Sequence, residues 1–245
     1  MRFFKSETKK TRTKVFNVII LDRSGSMESI RRAAIEGFNE TLASIRKAQE
    51  RFADTQEHFV SLVMFCSCEI KHFFDQTPVA SAAPLKWDDY TPCCCTPLFD
   101  AMGFTLTEMR RYVKTMEDAT VVVTIITDGL ENASKEYDGQ AIKRLVEELS
   151  GEGWTFTYMG TNQNAMEVAM SMSIRNARNF EYSDSGTRES MRKDSCTRMN
   201  FYERLAHFKE EEYNCCRQAP MSAEERRKRY TSMANEAFDE EESKS

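Results

Sequence analysis

Two apolar runs limit how this chain can fold: "KVFNVIILD" at 14–22 and "ATVVVTIITDG" at 119–129. Both are rich in β-branched residues, and neither alternates apolar with polar. A strand with one wet face alternates. A continuous run belongs to a strand covered on both faces, as in a parallel sheet between two layers of helix. The segments between the runs supply those helices. Ile30, Ala34, Phe38, Leu42, Ile45, Ala48 and Phe52 recur at helical spacing across 29–52, with charged residues on the other side. Further helices are expected over 96–116, with Pro97 in the first turn, over 134–150, ended by Gly151 and Gly153, and over 162–173.

Shorter strands are expected at 58–65, 69–75, 154–160 and 177–182. The link Cys66-Ser67-Cys68 is too short for a crossover, so it forces an antiparallel hairpin with the third strand at an edge. With right-handed crossovers elsewhere, the expectation is an α/β fold. It is a doubly wound, mostly parallel six-stranded sheet in the order 3-2-1-4-5-6, strand three antiparallel, with helices on both faces.

A chain of 245 residues suits one such domain plus an extension. The domain is placed at 14–183, behind a basic N-terminal arm at 1–13. Residues 184–245 form a charged, mainly helical C-terminal extension. There Met199, Tyr202, Leu205, Ala206 and Phe208 share a helical face, and Ser222 and Glu225 make a capping box for a helix to about Phe238. The acidic end "DEEESKS" reads as mobile. Residues 187–214 and 222–238 are expected to be helical, and the 14–183 core to fold without them.

The net charge of −5 argues against a nucleic-acid partner. The basic arm reads as solvated. No stretch approaches the roughly 20 apolar residues of a membrane span, and no signal-peptide pattern opens the sequence, so a cytoplasmic protein is expected. The eight cysteines occur as Cys66 and Cys68, the triplet Cys93 to Cys95, Cys196, and the pair Cys215 and Cys216. They lack the paired C-x2–4-C spacing of structural zinc sites and read as free thiols, with a metal–thiolate site as the alternative. Cys93 to Cys95 read as apolar filler rather than oxidation-sensitive thiols, and Cys66 and Cys68 are expected on the same rim as the oxygen site.

Ligands of open α/β sheets bind beyond the carboxyl ends of the strands. Asp22 ends the first run and Asp128 ends the fourth strand, its expected neighbour. In "DRSGS" the spacing of Asp22, Ser24 and Ser26 sends three oxygen-bearing side chains to one side of an extended loop, with Gly25 allowing a close turn. Carboxylates and hydroxyls without histidine or thiolate are hard donors, suited to Mg²⁺ or Mn²⁺. Glu131 and Asn132 read as capping or supporting groups rather than ligands.

The arrangement resembles the von Willebrand factor A (VWA) domain and its metal-ion-dependent adhesion site. That family's pattern is D-x-S-x-S, then a threonine in a later loop, then the aspartate of a T-D-G-like loop. Here these are Asp22, Ser24 and Ser26, then Thr96 in "CCCTPLFDA", then Asp128 in "TDG". Thr96 also reads as a helix cap ahead of Pro97. The stretch is most similar to small stand-alone bacterial members. The resemblance covers about 14–183 and implies a module that binds an Asp or Glu of a protein partner through the cation. The acidic tail at 239–242 offers such carboxylates for self-association.

Two other classes stay open. One is a structural or assembly protein, of a phage or a defence system, with a vestigial metal site. The other is a Mg²⁺-dependent hydrolase. Against the latter, the chain has no Walker loop, no nucleophile elbow and no Asp-x-Asp pair. Its three histidines, His58, His72 and His207, fall away from the expected rim.

Overall fold

In the computed structural model, which describes residues 11–160, 165–181, 183–214 and 221–244, the first apolar run is β1 (Thr13–Asp22). It lies at the centre of the sheet, parallel to β2 (Gln56–Cys66) on one side and to β4 (Ala119–Thr127) on the other. Beyond β4 follow β5 (Trp154–Gly160) and β6 (Asn176–Asn179), both parallel. Beyond β2 lies β3 (Glu69–Pro78), antiparallel and half-exposed, as an edge strand returning through a tight hairpin must be. The order is 3-2-1-4-5-6, as expected.

Three helices, α2 (Leu98–Val113), α3 (Gly139–Gly151) and α4 (Ala165–Ser171), pack against one face of the sheet. Phe16, Val18, Ile20, Val123 and Ile125 meet Leu98, Met102, Leu106, Ile142 and Val146 there. The other face alternates in register: Ile19 and Leu21 meet Ile30, Phe38, Leu42 and Ile45 around α1 (Arg31–Arg51). Continuous apolar strands are thus explained by a helical layer on each side.

Several boundaries moved. The helix expected over 134–150 starts at Gly139, because side chains hold 131–137 as a folded loop. The Glu131 carboxylate accepts the Ala133 and Ser134 amides, and the Asp100 carboxylate accepts those of Lys135, Glu136 and Tyr137. A carboxylate offering local bonds competes with helix initiation. The expected helix at 162–173 is described only from Ala165, and residues 1–10 of the basic arm lie outside the described residues.

The extension forms α5 (Asp184–Asn214) and α6 (Ala223–Glu242), helical as expected, with the capping box of Ser222 and Glu225 in place. It does not stand apart from the sheet domain. α5 lies along α1, and its Met191 enters the core on that face. Val15, Ala48 and Val122 share a third cluster with Phe201, Tyr202, Leu205, Tyr230, Met233 and Ala237. Arg198, buried on α5, pairs with Asp194 at 2.7 Å and donates to Asn17 of β1 and Thr124 of β4. The acidic end is helical through Glu242, and its carboxylates are engaged within the chain. Asp239 meets Arg175, Glu240 meets Arg204, and Glu242 meets Arg178.

Candidate functional site

β1 and β4 run parallel with Leu21 opposite Ile126, so Asp22 and Thr127 leave the sheet side by side. The Thr127 hydroxyl donates to Asp22 Oδ2 at 2.6 Å, and the Ser24 amide donates to Oδ1 at 2.7 Å. Both oxygens of a fully buried carboxylate are therefore held.

Chain direction then turns at Ser24, and Gly25–Ile30 forms a 3-10 helix rather than the extended loop expected. The hydroxyls converge all the same. Ser24 Oγ lies 3.1 Å from Ser26 Oγ, and Ser26 Oγ donates to Asp128 Oδ1 at 2.7 Å.

Thr96 arrives from a third loop. Helix α2 begins at Leu98 without a side-chain cap at Pro97, so Thr96 does not cap it as expected. Its backbone is instead clasped by Asn132: the Thr96 amide donates to Asn132 Oδ1 at 2.9 Å, and the Asn132 amide donates to the Thr96 carbonyl at 3.1 Å. Glu131 caps α2 through the Phe99 amide at 2.8 Å. A Cβ added at Gly129 would meet Thr96 Oγ1 at 3.3 Å and Ser26 Oγ at 3.9 Å. The five residues singled out by the sequence therefore gather at one end of β1 and β4. The Thr96 and Ser26 hydroxyls line the space that a side chain at 129 would fill, and Ser26 links onward to Ser24 and Asp128. The donor set is all oxygen, and it fits a hard divalent cation.

The electrostatics agree. Burial raises the Asp22 carboxyl to about 6, although its bonds to Thr127 and Ser24 pull the other way; the charge of Asp128 raises it further. Arg23, the cation inside the motif, turns away to Glu69 at 3.2 Å and Cys66 Sγ at 3.5 Å.

Sequence reasoning missed the groups that fix the loops. Tyr90, fully buried, donates its hydroxyl to the Asp22 carbonyl. Thr127 orients Asp22, and the signal for it was its place in register beside Asp22, next to Asp128. The described cysteines are free thiols, as expected, but which of them meet was not legible. Cys66 Sγ sits 3.1 Å from Cys93 Sγ, and Cys68 Sγ sits 3.0 Å from Cys94 Sγ, with Cys68 and Cys94 exposed. Burial pushes the Cys66 thiol up, but the bonds from Cys93 and from the Cys68 and Glu69 amides, with the Arg23 charge, bring it below the ordinary thiol value.

No protein-family model and no curated protein matches this chain. Solved structures do. Proximal thread matrix protein 1 of the mussel byssus aligns at 16% identity over 75% of this chain and 46% of its own, with a TM-score of 0.53. A second structure of that protein, with a zinc-occupied MIDAS motif, aligns at 15% identity over 75% and 45%, TM-score 0.50. The pilus adhesin SpaC of Lactobacillus rhamnosus GG aligns at 12% identity over 79% and 31%, TM-score 0.59. The chain spans under half the length of these proteins. The likeness establishes a VWA-like fold. Among the described residues no helix is long and apolar enough to cross a membrane.

Proposed function

We propose that this protein is a metal-dependent protein-binding module, with Asp22, Ser24, Ser26, Thr96 and Asp128 holding Mg²⁺ or Mn²⁺ at the rim of the sheet. The observation that carries the reading is that residues from three separate loops form one chain of contacts, Asp22 to Ser24 to Ser26 to Asp128, with Thr96 beside Ser26 at Gly129. A bound cation supplies a positive centre to which a partner's Asp or Glu carboxylate can coordinate. The chain's own residues do the rest. Thr127 and the Ser24 amide fix the Asp22 carboxylate, Ser26 spans the gap to Asp128, and Asn132 holds Thr96 in place. Hydroxyl ligands leave the ion under-neutralised, so metal and partner should tighten each other by the same factor. Among the structurally similar proteins, a pilus adhesin and a protein with a zinc-occupied MIDAS motif support the reading. The reading is of binding without turnover, supported by the placement of His58 at the start of β2 and of His72 3.7 Å from Glu108.

Mn²⁺ binding followed by electron paramagnetic resonance tests the site, with Ser26→Ala and Thr96→Ala each expected to weaken it by about tenfold or more. Titration with a Glu-containing peptide then tests the bridge. Equal peptide affinity in EDTA and in Mg²⁺ would refute it.

A further inference from the structure

The oxygen site leaves the cysteine triplet unused, and that triplet faces the cysteines of the β2–β3 hairpin. β2 ends at Cys66 and β3 begins at Glu69, so Cys66 and Cys68 flank the turn. Opposite them, Cys93 Sγ lies 3.1 Å from Cys66 Sγ, and Cys94 Sγ lies 3.0 Å from Cys68 Sγ. The sulfurs of Cys66, Cys68 and Cys93 all fall within 4.8 Å of one another.

Consecutive side chains of an extended segment point to opposite sides. Cys94 breaks that rule with φ at +61°, a region that residues other than glycine seldom enter, and so Cys93 and Cys94 both reach the hairpin thiols. Such a backbone persists only where its surroundings hold it. Here the Ser67 amide donates to the Cys95 carbonyl at 2.9 Å, and the Cys95 amide to Ser67 Oγ at 3.1 Å. The Cys93 amide donates to the Arg23 carbonyl at 2.8 Å, and the Gly25 amide to the Cys94 carbonyl at 3.0 Å. Apolar filling does not explain thiols at an exposed rim.

We infer that Cys66, Cys68, Cys93 and Cys94 form a tetrathiolate site for a soft divalent cation of the zinc class. Tetrahedral zinc with bonds of about 2.3 Å sets its sulfurs about 3.8 Å apart. The Cys66, Cys68 and Cys93 sulfurs reach that spacing by small rotamer shifts, and Cys94 supplies the fourth. On binding, each thiol releases its proton to solvent and forms one sulfur–metal bond. Four protons leave, and the site carries two net negative charges, which the Arg23 guanidinium at 3.5 Å from Cys66 Sγ partly offsets. The metal would staple the hairpin to the loop that leads into Thr96. Soft and hard donors select different ions, so this site stands independently of the oxygen site.

The test uses the full chain isolated under inert gas without chelator. It should retain zinc, and replacement by Co²⁺ should give the intense visible bands of tetrahedral sulfur coordination. Cys68→Ser and Cys93→Ser should each lower zinc affinity at least about tenfold, while Cys95→Ser and Cys196→Ser leave it unchanged. Thiol labelling of the unmodified chain needs no variant to fold: added Zn²⁺ should protect four cysteines. Mn²⁺ binding, read in parallel on each variant, should not move, which separates failure here from failure of the oxygen site. A chain that takes up no zinc, a Co²⁺ spectrum of oxygen coordination alone, or thiols labelled equally with and without Zn²⁺ would overturn the site. So would mass spectrometry showing Cys66–Cys93 and Cys68–Cys94 joined as disulfides in the isolated protein.

Discussion

Two groups of buried charge sit on one sheet and follow opposite rules. Where the extension packs, Arg198 is 2% exposed, and Lys209 is 1% exposed between Asp118 and Glu212. Burial works against the Arg198 cation, but Asp194 and Tyr202 more than restore it. At the rim, Asp22 is also fully buried, yet a hydroxyl and an amide hold its oxygens, and a second carboxylate pushes its proton affinity up. Buried charge that meets its opposite is structural. At the rim two carboxylates stand together with hydroxyls, the arrangement that the proposed cation would balance. On that proposal, the difference separates what holds this molecule together from what it binds with.

The strongest break of the comparison is to delete the structural half. A chain ending at Ser183 loses α5 and α6 and bares Val15, Val122 and the pocket that Met191 fills. The buried Phe201, Tyr202, Leu205, Tyr230, Met233 and Phe238 each contribute about 1.5–3 kcal/mol of burial, against a net domain stability of only about 5–15 kcal/mol. The truncated chain should therefore lack a cooperative thermal transition by circular dichroism. A sharp transition near that of the full chain would make the extension an appendage, as the sequence alone suggested.

A smaller break is Arg198→Met, which leaves Asp194 buried beside an apolar chain and should cost about 3–5 kcal/mol in urea denaturation. Adding Asp194→Leu should recover much of the loss. No recovery would mean that the donations to Asn17 and Thr124, not the charge pair, carry the effect.

Most of the sheet was legible in the sequence, and with it the rim where Asp22 and Asp128 stand, whereas Thr96 came only from the family resemblance. Continuous apolar runs such as 14–22 fix a two-sided strand, and strand ends fix the rim. What it hid depends on distance in the chain. Nothing local announces that Arg198 reaches Asn17, 181 residues away, or that Tyr90 supports Asp22. Which cysteines meet was hidden because their spacing is read along the chain, whereas the hairpin and a left-handed Cys94 bring them together in space.

At the rim, Asp22→Asn should abolish Mn²⁺ binding and yet stabilise the metal-free protein at pH 7. A carboxyl raised from 3.8 to about 6 opposes folding by about 3 kcal/mol when ionised. Its folded form binds the extra proton, so wild-type stability gains as pH falls from about 6 through 3.8. His58 acts the other way. Burial lowers it from 6.5 to about 3, the unfolded chain takes the proton first, and stability is lost as pH falls through that window. In EDTA the two should nearly cancel in the wild type, and Asp22→Asn should expose the His58 slope. Parallel urea curves for both proteins from pH 7 to 4 would contradict this account of Asp22.

The finest test concerns Arg23, which stands one residue from Asp22 but turns its guanidinium to Cys66 and Glu69. Glu69 is half-exposed, so the ion pair itself is worth little, and Arg23→Ala should change stability by less than about 1 kcal/mol. Its charge counts only where negative charge gathers beside it. If the oxygen and sulfur clusters are separate sites, Mn²⁺ affinity should hold, while zinc affinity falls by about tenfold, the usual cost of losing a group that supports a ligand. Competition against a zinc chelator and Mn²⁺ resonance on the same preparation measure both. A fall in Mn²⁺ affinity with zinc unmoved would reverse the assignment: Arg23 would then belong to the oxygen site, and the sulfur cluster would be neutral thiols that need no compensating charge.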